Sequence, residues 1–366
     1  MSRKVKLVLI TASSYFFSLL ILFRWTFTDL TTESFGRRFQ LYTSWGDFGF
    51  FRRGLVGTLF TESRLNELIA DSDFFVYSIT VIFLSLAYLI VLRVFWTVST
   101  PHPIAFFQAG VFFSPAFFTH FAYSTGNLDI FIVLIFIVAT WYAKNLWSLM
   151  FLAVIGILVH ELFFFLVPAL IYLKTSEAVS KSAMPPLAHL IGIAASSIGA
   201  LAATLVTGKI EADQSEYDLI MNQRIPGDHR IGGYFELGST VNQNLTPGLA
   251  DNFWLWAFLP TMYAFGLAVT VAWNSARTLL PRLAVCGALL FPLAAQAVAG
   301  DYFRWVSLSA IVSIVSLIDL VRRDALRPTK WLGIFLVVAA VAGPLGAVGG
   351  RPWPLAQFVI EALLSP

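Results

Sequence analysis

The stretch "SWGDFGFFRRGLVG" (residues 44–57) sets one carboxylate, Asp47, and two guanidiniums, Arg52 and Arg53, among Trp, Phe and Gly. Guanidiniums present planar forks of donors that fit phosphate and pyrophosphate oxygens. A carboxylate beside them can take the proton of a sugar hydroxyl as general base. Three other segments carry comparable groups: "STGNLD" supplies Asn127 and Asp129, "VHEL" supplies adjacent His160 and Glu161, and "GDYFRW" supplies Asp301 and Arg304. A His–Glu pair can orient a base or hold a leaving phosphate. These residue types suit acid–base chemistry on a phosphate-linked substrate. Zinc hydrolysis does not fit, because no second His follows "HE" at the spacing of H-E-x-x-H. Serine hydrolysis lacks a G-x-S-x-G elbow.

Each group also has a structural reading. Asp47 can pair with Arg52 or Arg53 and order its loop, and the Arg pair can anchor lipid headgroups. Asp129 can cap a helix N-terminus. His160–Glu161 can be a polar turn, and Asp301 and Arg304 can form a local i, i+3 pair. A site and such pairs are compatible, because ion-pair networks often line one.

The elements that must position these residues follow from composition. The chain has 366 residues, 58% hydrophobic and only 12% charged, whereas soluble domains are about a quarter charged. Apolar stretches of about 17 to 23 residues suffice to span a hydrocarbon core as helices. They lack the alternation of an outer-membrane barrel. The class is therefore all-α, a polytopic helical membrane protein forming one integral membrane domain over 1–366. "MSRKVK" followed by "LVLITASSYFFSLLILF" reads as a retained first span, longer than a signal-peptide core. Cys286 is the single cysteine, so no intrachain disulfide forms. The net charge of +3 reads as loop charge that sets orientation, with no nucleic-acid footprint.

Spans are expected near 7–24, 74–92, 104–122, 129–143, 187–207, 253–273, 283–299, 305–321 and 331–348. The stretch 146–173 is either one long helix burying His160 and Glu161 at the bilayer centre, or two short helices meeting at "HE". The second keeps the short basic loops, including "RRDALRPTK", on the inner side. It also avoids a carboxylate in mid-membrane. The expectation is about eleven spans including this broken hairpin, with the amino terminus in and the carboxyl terminus out. Outer segments then cover 25–73 and 208–252. All four chemical segments fall on the outer face, and charge clustered beside a bilayer is a functional-site hypothesis. "GIAASSIGALAA" (192–203) reads as a packing face.

This arrangement resembles the GT-C superfamily of polytopic glycosyltransferases: a long outer loop after the first span bearing an acidic residue, Asp47, with short broken helices nearby. It also looks like bacterial O-antigen and exopolysaccharide polymerases, whose outer-face arginines hold a lipid pyrophosphate. The resemblance is architectural. It implies a glycosyltransferase of the bacterial inner membrane that uses a polyprenyl-phosphate-linked sugar at the periplasmic face in surface polysaccharide assembly. A polymerase is the alternative, and a lipid or sugar flippase the non-enzymatic rival. By the same resemblance Asp47, His160 and Glu161 are the catalytic candidates, while Arg52, Arg53, Asn127, Asp129, Asp301 and Arg304 bind substrate. Members that use metal often carry D-x-D or E-x-D in the first loop. Trp45 occupies the position two before Asp47, so no metal or other cofactor is expected, although Asp29 and Glu33 share that loop. The expected partners are the lipid-linked sugar and membrane lipid.

Overall fold

The structure is a computed structural model that describes residues 2–27, 39–69, 71–98, 104–123, 125–180, 187–208, 210, 212–225, 253–297 and 302–342. Asp301, Asp29, Glu33 and residues 226–252 of the second outer segment lie outside the described residues. Every regular element among the described residues is helical. In chain order the first are α1 (Arg3–Phe27), the short α2 (Trp45–Phe48), α3 (Gly54–Glu62), α4 (Ser72–Thr97) and α5 (Ala105–Phe112). A π-helical turn (Pro115–Thr119) leads into α6 (His120–Tyr123), and α7 (Asp129–Trp141) and α8 (Leu146–Val159) follow. A 3-10 segment (Glu161–Leu166) precedes α9 (Val167–Ser180), α10 (Leu187–Thr207) and α11 (Gln214–Asn222). Then come α12 (Phe253–Ser275), α13 (Leu279–Leu290) with a 3-10 tail (Phe291–Ala297), α14 (Tyr302–Arg322) and α15 (Lys330–Ala342).

Four segments are long and apolar enough to cross a membrane: Arg3–Phe23, Ser72–Thr97, Leu190–Thr207 and Arg304–Arg322. Shorter apolar helices include Asp129–Trp141 and Leu146–Val159. In hydrocarbon a helix satisfies its own backbone donors and acceptors, which is why apolar runs of this length become helices. The chain is a helical membrane protein.

The Cα positions form two compact units. The first comprises Met1–Phe27, Leu84–Ser124 and Gln243–Pro366; the second comprises Thr28–Phe83 and Thr125–Asn242.

In the first unit α14 is the buried centre, and every residue of its apolar window lies inside. Two of its serines close bonds within the helix: Ser313 Oγ donates to Ser309 O at 2.8 Å and Ser316 Oγ to Val312 O at 2.7 Å. The expected single span 104–122 is broken. Proline disfavours helical backbone in the residue before it, and Ser114, ahead of Pro115, is extended at ψ 121°. Its hydroxyl pairs with Tyr263 OH at 3.2 Å. On α1, Ser14 and Ser18 hydroxyls meet Tyr88 OH at 2.7 and 2.9 Å.

Helices α5 and α15 cross closely because glycines stand at the contact. A Cβ on Gly110 would lie 2.3 Å from Leu336 Cβ, and one on Gly333 2.5 Å from Phe106 Cβ. Gly110→Val is therefore expected to cost about 1–3 kcal/mol by overpacking. A lower thermal midpoint in detergent, read against wild type, checks this; an unchanged midpoint would show that the crossing relaxes.

In the second unit the broken hairpin is present. Asn145 Oδ1 accepts the Ser148 N–H at 2.8 Å and starts α8. The chain breaks at His160, extended at φ −161°, ψ 126°. Helix α9 then returns, and Lys174 Nζ donates to Thr140 O at 2.7 Å and Ala143 O at 2.8 Å, the carbonyl end of α7. Since α8 leaves from that same end, the two arms are antiparallel and His160–Glu161 form the tip. Lys174 both neutralises exposed carbonyls and opposes the negative helix end. Lys174→Met is expected to cost about 1–2 kcal/mol, because the carbonyls lose a charged donor inside an apolar helix bundle. Equal midpoints for the variant and wild type would sink that assignment.

Candidate functional site

The chemistry-bearing loop is a small fold of its own within the second unit. Ser44 caps α2, its Oγ accepting the Gly46 N–H at 2.9 Å. Thr58 Oγ1 accepts the Trp45 N–H at 2.8 Å, and Trp45 Nε1 donates to Phe51 O at 2.8 Å. Phe48 and Phe51 are buried beneath. The glycines of "GFFRRGLVG" are needed at two contacts. A Cβ on Gly54 would lie 2.2 Å from Trp45 Nε1, and one on Gly57 2.1 Å from Thr43 O. Aromatic residues anchor the loop and glycines let its strands of backbone close up, so its polar side chains start from fixed positions.

Asp47 pairs with neither Arg52 nor Arg53. Its carboxylate takes a two-pronged bond from Arg224, with Nη1 to Oδ2 at 2.7 Å and Nη2 to Oδ1 at 2.8 Å. The same Nη1 donates to Tyr42 O at 2.9 Å. The side chains of Arg224 and Asp47 stay 24% and 22% exposed, so a ligand can reach the pair. Helix α11 brings Arg224 there. Asp213 caps it, accepting the Glu216 N–H at 2.8 Å. Tyr217, fully buried, stacks near Phe48 with ring centroids 5.0 Å apart, and its hydroxyl meets Thr43 Oγ1 at 3.0 Å. Burial pushes the Tyr217 phenol above its ordinary range, so it serves as a neutral hydroxyl. Glu62 completes this corner, its Oε1 accepting from Ser44 Oγ at 3.2 Å.

Arg53 turns instead to the hairpin tip. Its Nε lies 2.9 Å from each oxygen of Glu161, and Nη2 reaches Oε1 as well. His160 Nδ1 lies 3.3 Å from Glu161 Oε2 and 3.2 Å from the Leu162 N–H. One nitrogen serves only one of these at a time. Neutral, it accepts from Leu162 and caps the 3-10 segment; protonated, it donates to Glu161. Burial by itself raises the Glu161 carboxyl, but the charges of Arg53 and His160 and the hydrogen bonds from both outweigh it and hold the group well below the usual carboxylate range.

The sign of the pH dependence follows. A carboxyl lowered on folding adds stability that is fully present above its unfolded value of about 4.3 and is lost as pH falls through the folded value. Thermal midpoints measured downward from pH 6 are expected to fall more steeply for wild type than for Glu161→Gln. Parallel curves would mean that the pair contributes nothing through this carboxyl.

Arg53 also carries backbone strain. Its φ of 65° is left-handed, a conformation costing a non-glycine residue of order 1–3 kcal/mol and often kept where function needs it.

The remaining described candidates are buried side chains. Arg52 is 5% exposed, and its N–H donates to Gly208 O at 3.2 Å, tying the loop to the end of α10. Asn127 and Asp129 are buried at the start of α7, which packs against the 3-10 segment behind the tip. Asp129 is not the cap, because Leu128 holds that position and makes no side-chain capping bond. Arg304 is buried in the first unit, its guanidinium carbon 5.5 Å from the Trp305 ring centre. The second unit thus unites Arg53, His160 and Glu161, and holds Asp47 on the same loop beside Arg224. Among the described residues no group of three His, Cys, Asp or Glu side chains could hold a metal ion.

No protein-family model, curated protein or solved structure matches the chain. The residues that sequence reasoning missed are Arg224, Tyr217 and Glu62. In "EYDLIMNQR" the residues Tyr217, Met221 and Arg224 recur at i, i+4 and i+7. That is one helical face, the signal that α11 packs on something.

Proposed function

We propose that the protein is a membrane glycosyltransferase that takes its sugar from a polyprenyl-phosphate carrier, with loop 44–54 as the transfer site. The observation that carries this reading is the pair of guanidinium–carboxylate couples, Asp47–Arg224 and Glu161–Arg53, held on one loop and the hairpin tip facing it. A guanidinium fork fits a phosphate as well as a carboxylate. When the donor phosphate draws Arg224 to itself, Asp47 is released as a base. It takes the proton of the acceptor hydroxyl, the hydroxyl oxygen bonds to the anomeric carbon, and the bond from that carbon to the phosphate oxygen breaks. Polyprenyl phosphate leaves, its charge stabilised by Arg224 and Arg53. Glu161 and His160 position Arg53. Asn127 and Asp129 support the tip from behind. About eleven spans, with this loop on the outer face of a bacterial inner membrane, accord with the basic inner loops.

The test is a surface-glycan assay in the source cell. Asp47→Asn is expected to abolish the polymer, while the exposed control Glu216→Gln, on the first turn of α11, retains it. A full-length polymer from normally expressed Asp47→Asn would reject the assignment.

One observation favours the non-enzymatic rival. The first unit buries polar groups on several helices: the Ser14–Ser18–Tyr88 cluster, Ser114–Tyr263, and Ser307, Ser309, Ser313 and Ser316 of α14. A flippase needs such a path. Translocation of labelled polyprenyl-phosphate sugar across proteoliposomes, undiminished in Asp47→Asn, would favour it over transfer.

A further inference from the structure

In the first unit the described cations gather at one end. Lys4, near the start of α1, places Nζ 4.8 Å from the ring centre of Trp96, and Arg3 donates to Val98 O just past the end of α4. Helix α5 starts at the same end. The start of α15 lies there too, because Gly333 meets Phe106 and Phe107. Helix α12 runs alongside α14 in the same direction: the Thr261 and Tyr302 hydroxyls meet at 2.6 Å, and α13 is the returning arm between them. The ends of α12 and α14 therefore point to this end as well, and the chain passes directly from α14 to the start of α15.

Three exposed tryptophans mark the level. Trp96 is 45%, Trp273 65% and Trp331 78% exposed. Each has cations beside it: Lys4 across from α1 and Arg93 one turn earlier for Trp96, Arg277 and Arg282 for Trp273, Arg327 and Lys330 for Trp331. Arg282 lies over Trp273, its guanidinium carbon 3.7 Å from the ring centre, and its Nε donates to Ala276 O at 2.9 Å. Against this charge, the described residues at this end supply two acids, Asp319, already engaged by Arg322 and Arg323, and exposed Asp324. Among residues whose side chains are described, the opposite end of the unit carries Arg304 alone, and it is buried.

Indole rings settle at the boundary between hydrocarbon and headgroups. Cations at that depth sit within the phosphate layer, where anionic lipids attract them. Leu279 and Leu280, 69% and 78% exposed beside Arg282, are placed for acyl chains, which a nucleic acid or an acidic soluble protein does not supply. We propose that this end of the first unit is a binding surface for anionic phospholipids, taking lipid phosphates at the Lys4–Trp96 and Arg282–Trp273 pairs. The surface acts independently of the transfer chemistry and fixes which leaflet this end faces.

The test uses full-length protein purified in detergent and titrated with phosphatidylglycerol or phosphatidylcholine, lipid retention being read by native mass spectrometry. Wild type is expected to retain phosphatidylglycerol preferentially. Lys4→Gln and Arg282→Gln each weaken that retention by about five-fold, the worth of one cation near an anionic surface. Arg64→Gln, an exposed cation of the second unit, leaves it unchanged. Free inorganic phosphate at equal concentration does not displace the lipid. Equal retention of the two lipids by wild type would overturn the proposal. So would unchanged retention in both Gln variants, or displacement by inorganic phosphate. The variants alter exposed or half-exposed side chains, and wild-type lipid preference tests the surface without any substitution.

Discussion

Glu161→Ala is expected to destabilise the protein by about 3 kcal/mol. Removing one partner of a buried ion pair costs about 3–5 kcal/mol, because the other charge is left in a poorly solvated place. Here the lower end applies, since Arg53 and Glu161 keep 19% and 13% of their side chains exposed. Two further losses add to the first. His160 loses its charged neighbour, and Arg53 keeps its left-handed backbone without the bond that holds it there. The pair itself is worth less than this truncation cost, so a double-mutant cycle separates the two. Arg53→Met combined with Glu161→Ala is expected to be more stable than Glu161→Ala alone, with a coupling between the sites of about 1–3 kcal/mol. Chemical-denaturation midpoints in detergent supply all four corners. Additive effects would mean that loop and hairpin tip are energetically separate, and the shared site would fail.

Gly57→Ala is the second large effect, and here the sign is contested. Alanine is the better helix former by about 1 kcal/mol, and Gly57 lies inside α3. Nevertheless its Cβ would lie 2.1 Å from Thr43 O and 2.8 Å from Gln40 O. Those are backbone atoms, which cannot turn aside as a flexible side chain would. Overpacking of this kind costs about 1–3 kcal/mol or more, so the clash wins. The displaced segment carries Thr43, which holds Tyr217, and the Tyr42 carbonyl, which accepts from Arg224. Gly57→Ala is thus expected to loosen the Asp47–Arg224 clamp and to lose surface polymer together with stability. Retained stability and retained polymer would show that residues 39–44 do not frame the site.

The helical membrane class was legible because length and apolarity leave few alternatives in hydrocarbon. The hairpin was legible at His160–Glu161 for a related reason: an unpaired carboxylate in mid-bilayer is costly, and the basic loops favour a return. The break at Ser114–Pro115 was visible as a proline but was absorbed into a single span, because apolarity runs unbroken across it. Asp47 illustrates the limit more sharply. Its nearest arginines in sequence are Arg52 and Arg53, yet its partner lies 177 residues away, just past the end of α11. Local spacing favours the near arginines, but Arg53 is drawn to Glu161 and Arg52 is packed inside the unit. The burial of the whole apolar stretch of α14 was likewise hidden, because serines that bond their own helix read as an ordinary span.

The central claim is that Arg53 of this loop and Arg224, just past α11, hold a lipid-linked phosphate. Binding of polyprenyl phosphate to the full-length protein in nanodiscs measures it without knowledge of the sugar. Arg53→Gln and Arg224→Gln are each predicted to weaken binding by about ten-fold or more, as loss of a charge-assisted pair implies, while Arg64→Gln binds as wild type does. Wild-type affinity in both the Arg53 and Arg224 variants would contradict the account.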